Sequence, residues 1–211
     1  FERLDAFELD WAVNDRHIDY REPVPYIGLS HEILEKYGLA CPKDISLLTY
    51  NVGTFSKYSD DSTPQAADLI RALGVDAVAL NELDSCNRRH NVHQLQVLTD
   101  SLGGWDHAFA SAFPFAGGGY GNGVATSSDV IRSFSVALPL SDGAEPRSMV
   151  VVETLDYILA ATHLDHVGTE ARIQQVDSIT AWCQDNYAED FRPVILCGDM
   201  NCEPDGPAVT R

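Results

Sequence analysis

Positive charge is what this sequence has least of: 14 Lys and Arg stand against 32 Asp and Glu, a formal net charge of −18. A polyanion is held off by such a field unless metal ions or a local basic cluster neutralise its approach, so the balance argues against indiscriminate nucleic-acid binding. Long hydrophobic runs are missing too. The apolar stretches are strand-sized and stop well short of the roughly 20 residues a membrane-spanning helix needs. Cysteine is thin and irregular, with Cys41, Cys86, Cys183, Cys197 and Cys202 odd in number and sharing no spacing, so no disulfide framework is implied. Cys86, His90 and His93 approach a zinc pattern but lack a fourth ligand at finger spacing, and a solvated helix entry accounts for them better. There is no initiator Met before Phe1 and no signal-like segment, which reads as a processed or trimmed chain, leaning to an extracytoplasmic one, or as a start lying upstream.

What is present is an ordinary globular composition, 45% hydrophobic over 211 residues, enough for one full domain or two small ones. Residues 1–44 are the least legible. Alternation over Phe7, Leu9, Trp11 and Val13 predicts a half-buried strand, Pro23 and Pro25 break it, and a short helix follows from Ser30 to Tyr37. This segment is expected to be an N-terminal extension packed on a main domain that starts at Ile45. From there the pattern is regular. Ile45 to Asn51 reads as a strand, and Thr63 as cap with Pro64 in the first turn opens a helix with Ala67, Leu69, Ile70 and Leu73 inward and Gly74 at its end. Asp76 to Glu82 is the next strand, and the right-handed βαβ crossover sets the two parallel. A second helix is predicted over Val92 to Leu102. The glycine-rich stretch Gly117 to Gly123 reads as a loop whose backbone approaches something closely or takes positive φ, and a flexible hairpin accounts for it better than a phosphate cradle, since the Lys-Ser/Thr ending of a P-loop is absent. Antiparallel strands follow between Val124 and His163, and Gly168 to Asn186 predicts a helix with Ile173, Val176, Ile179 and Cys183 along one stripe.

The chemistry gathers where apolar strands stop. Val194 to Cys197 leads into Gly198-Asp199-Met200-Asn201, placing a carboxylate and an amide two residues apart on one face of an extended segment. Asn51, Glu82 and His163 likewise follow apolar runs, and the carboxyl ends of parallel strands are where open α/β sheets carry sites. Asn51 and Glu82 on adjacent strands can ligate one hard cation through oxygen. Arg88 and Arg89 offer a local basic edge for an anion, although an exposed turn explains them slightly better.

These motifs, Thr49-Tyr50-Asn51-Val52, Asn81-Glu82-Leu83-Asp84, Tyr120-Gly121-Asn122-Gly123, Thr162-His163-Leu164-Asp165 and Gly198-Asp199-Met200-Asn201, resemble in order and spacing those of the endonuclease/exonuclease/phosphatase superfamily. The resemblance implies an α/β fold, the DNase I-like four-layered sandwich of two mixed β-sheets flanked by helices. It also implies hydrolysis of phosphodiester or phosphomonoester bonds with a divalent cation, Mg²⁺ or Mn²⁺. Carried over, Glu82 is the principal metal ligand with Asn51 beside it, and Asp199, a further ligand, orients or deprotonates the attacking water. Asn201 holds that geometry, His163 contacts the phosphate or assists the leaving oxygen, and Tyr120 and Asn122 face the phosphate. Arg147 lies near a family arginine of structural or supporting role. Substrates on this reading are a small phosphodiester, a phospholipid or sugar-phosphate head group, or a nucleic acid, with acidity leaning toward the non-polymeric.

One departure stands out. The family closes on a Ser-Asp-His segment with no counterpart between Asn201 and Arg211, so the domain 45–211 is expected to lack its C-terminal strands. Either a further portion supplies them, or the order is rearranged through Arg16-His17-Ile18-Asp19-Tyr20, or the protein is a catalytically impaired module of the same fold that binds a phosphate ligand.

Overall fold

The structure is a computed structural model that describes residues 44–57 and 59–210. The strand and helix expected before residue 44, the Arg16 to Tyr20 stretch and the packing of the N-terminal extension lie outside the described residues. The chain divides into two compact units at residue 44, and the second, Ile45–Arg211, carries the elements below.

Strand β1 (Leu47–Asn51) pairs in parallel with β2 (Ala77–Ser85), linked by helix α1 (Thr63–Leu73). Helix α2 (Gln94–Ser101) leads to an antiparallel hairpin of β3 (Asp106–Phe115) and β4 (Gly118–Thr126). Together they form one sheet in the order β1-β2-β4-β3. The second sheet runs β5 (Arg132–Ala137), β6 (Ser148–Glu153), β7 (Ile158–His163), β8 (Val194–Asp199), with α3 (Thr169–Tyr187) crossing over between the parallel pair β7 and β8.

The period-2 alternation of the strands sorts their side chains into layers. Ala77 and Ala79 of β2 face Val150, Val152, Leu159 and Ala161 of the other sheet, while Val78 and Leu80 pack under α1 and α2. On the far side Met149, Val151, Ile158 and Ala160 receive Ile179 and Tyr187 of α3. The result is helix, sheet, sheet, helix, the expected four-layered sandwich of two mixed sheets. No helix among the described residues is long and apolar enough to cross a membrane.

Three local expectations change. The inward face of α1 is Ala66, Ala67 and Ile70, while Leu69 and Leu73 stay 43% and 52% exposed. The alanines let the helix backbone approach the sheet, which rotates the leucines onto its flanks. Thr63 is the first helical residue rather than the cap, its backbone N–H donating to the Asp61 carboxylate at 2.9 Å. The glycine-rich run belongs to a hairpin but is not a flexible loop: Gly117 sits in the turn at φ +93°, and Gly118 to Gly123 lie in the central strand β4. A Cβ on Gly121 would lie 2.0 Å from the Ala110 carbonyl oxygen, so what the glycine accommodates is the close passage of β3.

Opposite the strand ends that carry the polar motifs, Glu153 closes the base of the second sheet. Its buried carboxylate accepts from Arg132 (2.7 Å), the Tyr187 hydroxyl (2.8 Å) and Arg192 (3.4 Å), tying β5, α3 and the approach to β8 to the end of β6. Burial raises its pKa, but these donors outweigh it and hold the carboxyl below the ordinary 4.5. The stability this contributes is therefore complete above 4.5 and is lost as pH falls through the lower folded value. Glu153→Gln should cost about 1–3 kcal/mol at neutral pH. It should also flatten that part of the acid limb, read from urea midpoints across the acid range; an unchanged acid limb would remove Glu153 from it.

Candidate active site

The site begins with an irregularity in β2. The ladder to β4 runs Leu80 to Gly123 and resumes at Leu83 to Gly121, so Asn81 and Glu82 together oppose Asn122 alone. Such a bulge lets Leu80 and Leu83 both point to the helices, and the two polar residues between them leave the helix side. Glu82 takes φ +61°, a left-handed conformation unusual for a side chain of its size, and is half-buried. It does not terminate its strand as the sequence suggested; β2 continues to Ser85.

Asn81 turns inward and is wholly buried. Its Nδ2 donates to the Asn122 Oδ1 (2.9 Å) and to the Thr162 carbonyl (2.8 Å), and its Oδ1 accepts the backbone N–H of Asp199 (2.9 Å). Asn122 in turn donates to the Ser148 carbonyl at 2.8 Å. Two amides of the first sheet thereby stitch β6, β7 and β8 of the second. The Asn122 amide uses both its oxygen and its nitrogen within the protein and is 2% exposed, so the structure places it beneath the rim.

Above this seam the carboxylates meet. Asn51, exposed at the end of β1, donates from Nδ2 to Glu82 Oε1 and to Asp199 Oδ2, both at 3.0 Å, and fixes its own oxygen on the Gly53 backbone N–H at 3.1 Å. Asp199 Oδ1 accepts the Asn201 N–H at 3.0 Å, an Asx turn, while the Asn201 side chain donates to the Leu164 carbonyl at 2.9 Å. Asn201 therefore braces the loop that carries Asp199. Gly198 before it has φ +136°, and a Cβ there would lie 1.8 Å from the Thr162 carbonyl oxygen; only glycine permits β8 to bend over β7. His163 is buried, its Nε2 lying 3.8 Å from Asp199 Oδ2.

Burial pushes the Asp199 carboxyl up, but the Asn51 amide and the Asn201 backbone N–H outweigh it and leave the group below its ordinary 3.8. It is a carboxylate at neutral pH. Burial, then the Arg147 guanidinium, pushes the His163 imidazole below 6.5, so it is neutral there. Arg147 is itself buried, with Nη2 3.2 Å from His166 Nδ1 and 3.6 Å from Glu145, and its Nε has no partner. Tyr120 is raised by burial and by Glu82 and stays a phenol.

Asn51, Glu82, Asp199, Asn201 and His163 thus converge. Among the described residues no three His, Cys, Asp or Glu side chains form a metal-holding group. The groups that fit a hard cation are the Glu82 and Asp199 carboxylates, which meet across the Asn51 amide and each take one of its two N–H bonds, while the Asn51 oxygen is turned to the Gly53 N–H. The zinc-like trio goes elsewhere: His90 Nδ1 lies 2.6 Å from Asp84, His93 caps α2 by accepting from Gln96, and Cys86 is exposed. Arg89 is not a free basic edge, since it grips the buried Asp84 with two hydrogen bonds of 2.7 and 2.9 Å. Asn81 was missed as a site residue. Its signal was two consecutive polar residues closing an apolar strand, which only a bulge can place apart from the helix side.

A four-layered sandwich with an acidic cluster at the strand ends defines the DNase I-like class. A family model described as "Endonuclease/Exonuclease/phosphatase family" matches residues 48–211, and the chain belongs to that family, whose members are generally phosphoester hydrolases. No curated protein matches by sequence. Among solved structures, the mannosyl-6-phosphatase Bt3783 of Bacteroides thetaiotaomicron VPI-5482 superposes with TM-score 0.64 at 17% identity, covering 79% of this chain and 68% of that one. An endonuclease/exonuclease/phosphatase from Beutenbergia cavernae DSM 12333 gives 0.60 at 22%, covering 78% and 50%. The human Nocturnin catalytic domain with bound sulfate gives 0.57 at 18%, covering 79% and 68%. At these identities the likeness is one of fold.

The buried position of Asn122 makes a direct prediction. Asn122→Ala should lower the unfolding free energy by about 1–3 kcal/mol, because it strands an Asn81 N–H and leaves the Ser148 carbonyl only the longer bond from the Thr162 hydroxyl at 3.3 Å. A change within about 0.5 kcal/mol, as for a solvent-facing residue, would contradict that placement.

Proposed function

We propose that this chain hydrolyses phosphoester bonds with a divalent cation, Mg²⁺ or Mn²⁺, at the cluster of Asn51, Glu82 and Asp199. The observation that carries the reading is the meeting of carboxylates from opposite sheets on one amide. Carboxylates from two sheets brought onto one amide fit a hard ion, and the phosphate requires just such neutralisation.

Glu82 and Asp199 would hold the cation, with Asn51 beside them. When bound, it would neutralise the non-bridging oxygens and lower the pKa of water. Asp199, ionised and held by the Asn51 amide and the Asn201 N–H, orients the attacking water and can accept its proton. His163, neutral at neutral pH, contributes a hydrogen bond to the phosphate or to the leaving oxygen rather than a charge. Tyr120, a phenol, can donate a second. Asn201 and Asn122 act through position, one bracing the Asp199 loop, the other fixing Asn81. The candidate substrates are small phosphodiesters, phospholipid or sugar-phosphate head groups and nucleic acids. The net charge of −18 favours the small ones, and a mannosyl-6-phosphatase of the same fold keeps sugar phosphates among them.

The test is release of p-nitrophenol from its phosphate mono- and diester with Mg²⁺ or Mn²⁺. Chelation should abolish it, and Glu82→Ala or Asp199→Ala should reduce it by about two orders of magnitude or more. Activity that survives chelator and both substitutions would refute the proposal. Phosphate binding without product under either cation would replace it with a binding module of the same fold.

A further inference from the structure

Beside Glu82 opens a cleft of about 300 Å³, of whose lining the chemistry above uses only Glu82 and Tyr120. Its floor is aromatic. Phe113 and Phe115 of β3 and Tyr120 of β4 form one cluster, with ring centroids 5.3 Å apart for Phe113 and Tyr120 and 6.3 Å for the other two pairs. All three are only half-buried, so aromatic surface remains open to solvent within the cleft. Arg89 extends the platform. Its guanidinium lies 4.6 Å from the Phe115 ring centroid and 5.7 Å from that of Tyr120, and the bidentate bond to Asp84 holds it in place.

Each part of this arrangement bears on what could lie there. The Arg89 charge is matched by a carboxylate that is wholly buried, and what the side chain offers outward is a flat, weakly hydrated plane. The cation position over Phe115 and Tyr120 is already taken by Arg89, so the cluster is not a vacant cage for a quaternary ammonium group. A cleft of this volume stands at the lower limit of small-molecule sites, about 300–1,000 Å³, and fits a single ring system rather than a polymer. Glu82 lines the cleft and also accepts from the amide that gathers the carboxylates. A ring resting on the platform is therefore connected directly to a phosphate at the strand ends.

We infer that this cleft is the subsite for a flat aromatic ring carried by the phosphoester, an inference that rests on the hydrolase reading for its place beside the phosphate. The ring stacks on Phe113, Phe115 and the guanidinium plane of Arg89, and the ester oxygen points toward Glu82. A nucleobase and a simple aryl group share this chemistry.

Titration calorimetry with phosphonates, whose C–P bond is not turned over, tests it without requiring catalysis. The probes are 1-naphthylmethylphosphonate, the phosphonate analogue of adenosine 5′-phosphate, phosphonocholine and methylphosphonate, each in Mg²⁺. Stacking of one ring on aromatic side chains is worth about tenfold or more in affinity. At least one ring probe should therefore bind the unaltered chain about tenfold tighter than methylphosphonate, and the tighter of the two identifies aryl or nucleobase as the source. Phe113→Leu and Phe115→Leu, tested separately so that one misfolded variant does not decide the matter, should each bring the ratio to about threefold or less. Equal binding of ring probes and methylphosphonate, retention of the full preference in both folded variants, or a preference for phosphonocholine over both rings would overturn the subsite. Ring preference without any hydrolysis of p-nitrophenyl esters would leave the subsite standing and remove the hydrolase reading. Hydrolysis without ring preference would do the reverse.

Discussion

The site depends on one buried amide. Asn81 lies in the apolar space between two sheets, where an unpaired polar group costs on the order of several kcal/mol, and all three of its bonds reach partners on three other strands. Because a hydrogen bond is directional while alanine and valine contacts are not, those bonds set how the two sheets are aligned at this rim. The remainder of the interface, Ala77, Ala79, Val150, Leu159 and Ala161, would tolerate sliding. The Asp199 backbone N–H is one of Asn81's partners, so the alignment of the sheets and the position of the Asp199 carboxylate are the same constraint.

The bulge that sinks Asn81 also lifts Glu82. A regular strand would have alternated them, sending Glu82 under the helices, where a carboxylate has no partner. The extra residue gives both polar groups useful directions and places Glu82 in a left-handed backbone conformation, a strain of about 1–3 kcal/mol that the surrounding packing must offset. Leu80 and Leu83, fully buried beneath α1 and α2 on either side, supply that packing. Two carboxylates then face each other across the gap between sheets with Asn51 as their common donor. The aromatic cleft starts at the same Glu82, so the proposed ring subsite and the proposed cation site share a side chain.

Much of this was legible in the sequence where period and punctuation agree. The βαβ unit over Ile45 to Glu82 and the final helix and strand followed from apolar runs bounded by Pro64, Gly74 and Gly198, and the structure has both. Polar residues at the close of apolar strands identified Asn51, His163 and Asp199 correctly as neighbours, because strands that run parallel must end on one rim. What was not legible depended on contacts between distant segments. Gly117 to Gly123 looks like a loop by composition, yet Gly121 answers to the backbone of β3, Gly118 to that of Ser85 and Cys86, and Gly123 to the Leu83 and Leu95 side chains, none of which the local sequence records. Arg89 looks like a surface charge until Asp84, five residues earlier, is seen to be buried beneath it. The roles of Asn81 and Asn122 were hidden for the same reason: an asparagine in a strand carries no mark of whether its amide meets solvent or another sheet.

On the proposed reading the interior amides, and not the rim residues alone, hold the carboxylates where a cation can bridge them. The affinity for Mn²⁺, measured by titration calorimetry on the parent chain and on a folded Asn81→Ala variant, tests it most directly. Substitution of a residue that supports ligands without touching the ion should weaken binding by about tenfold or more. Equal affinity in the two chains would show that Glu82 and Asp199 find their places without the seam, and would contradict the account.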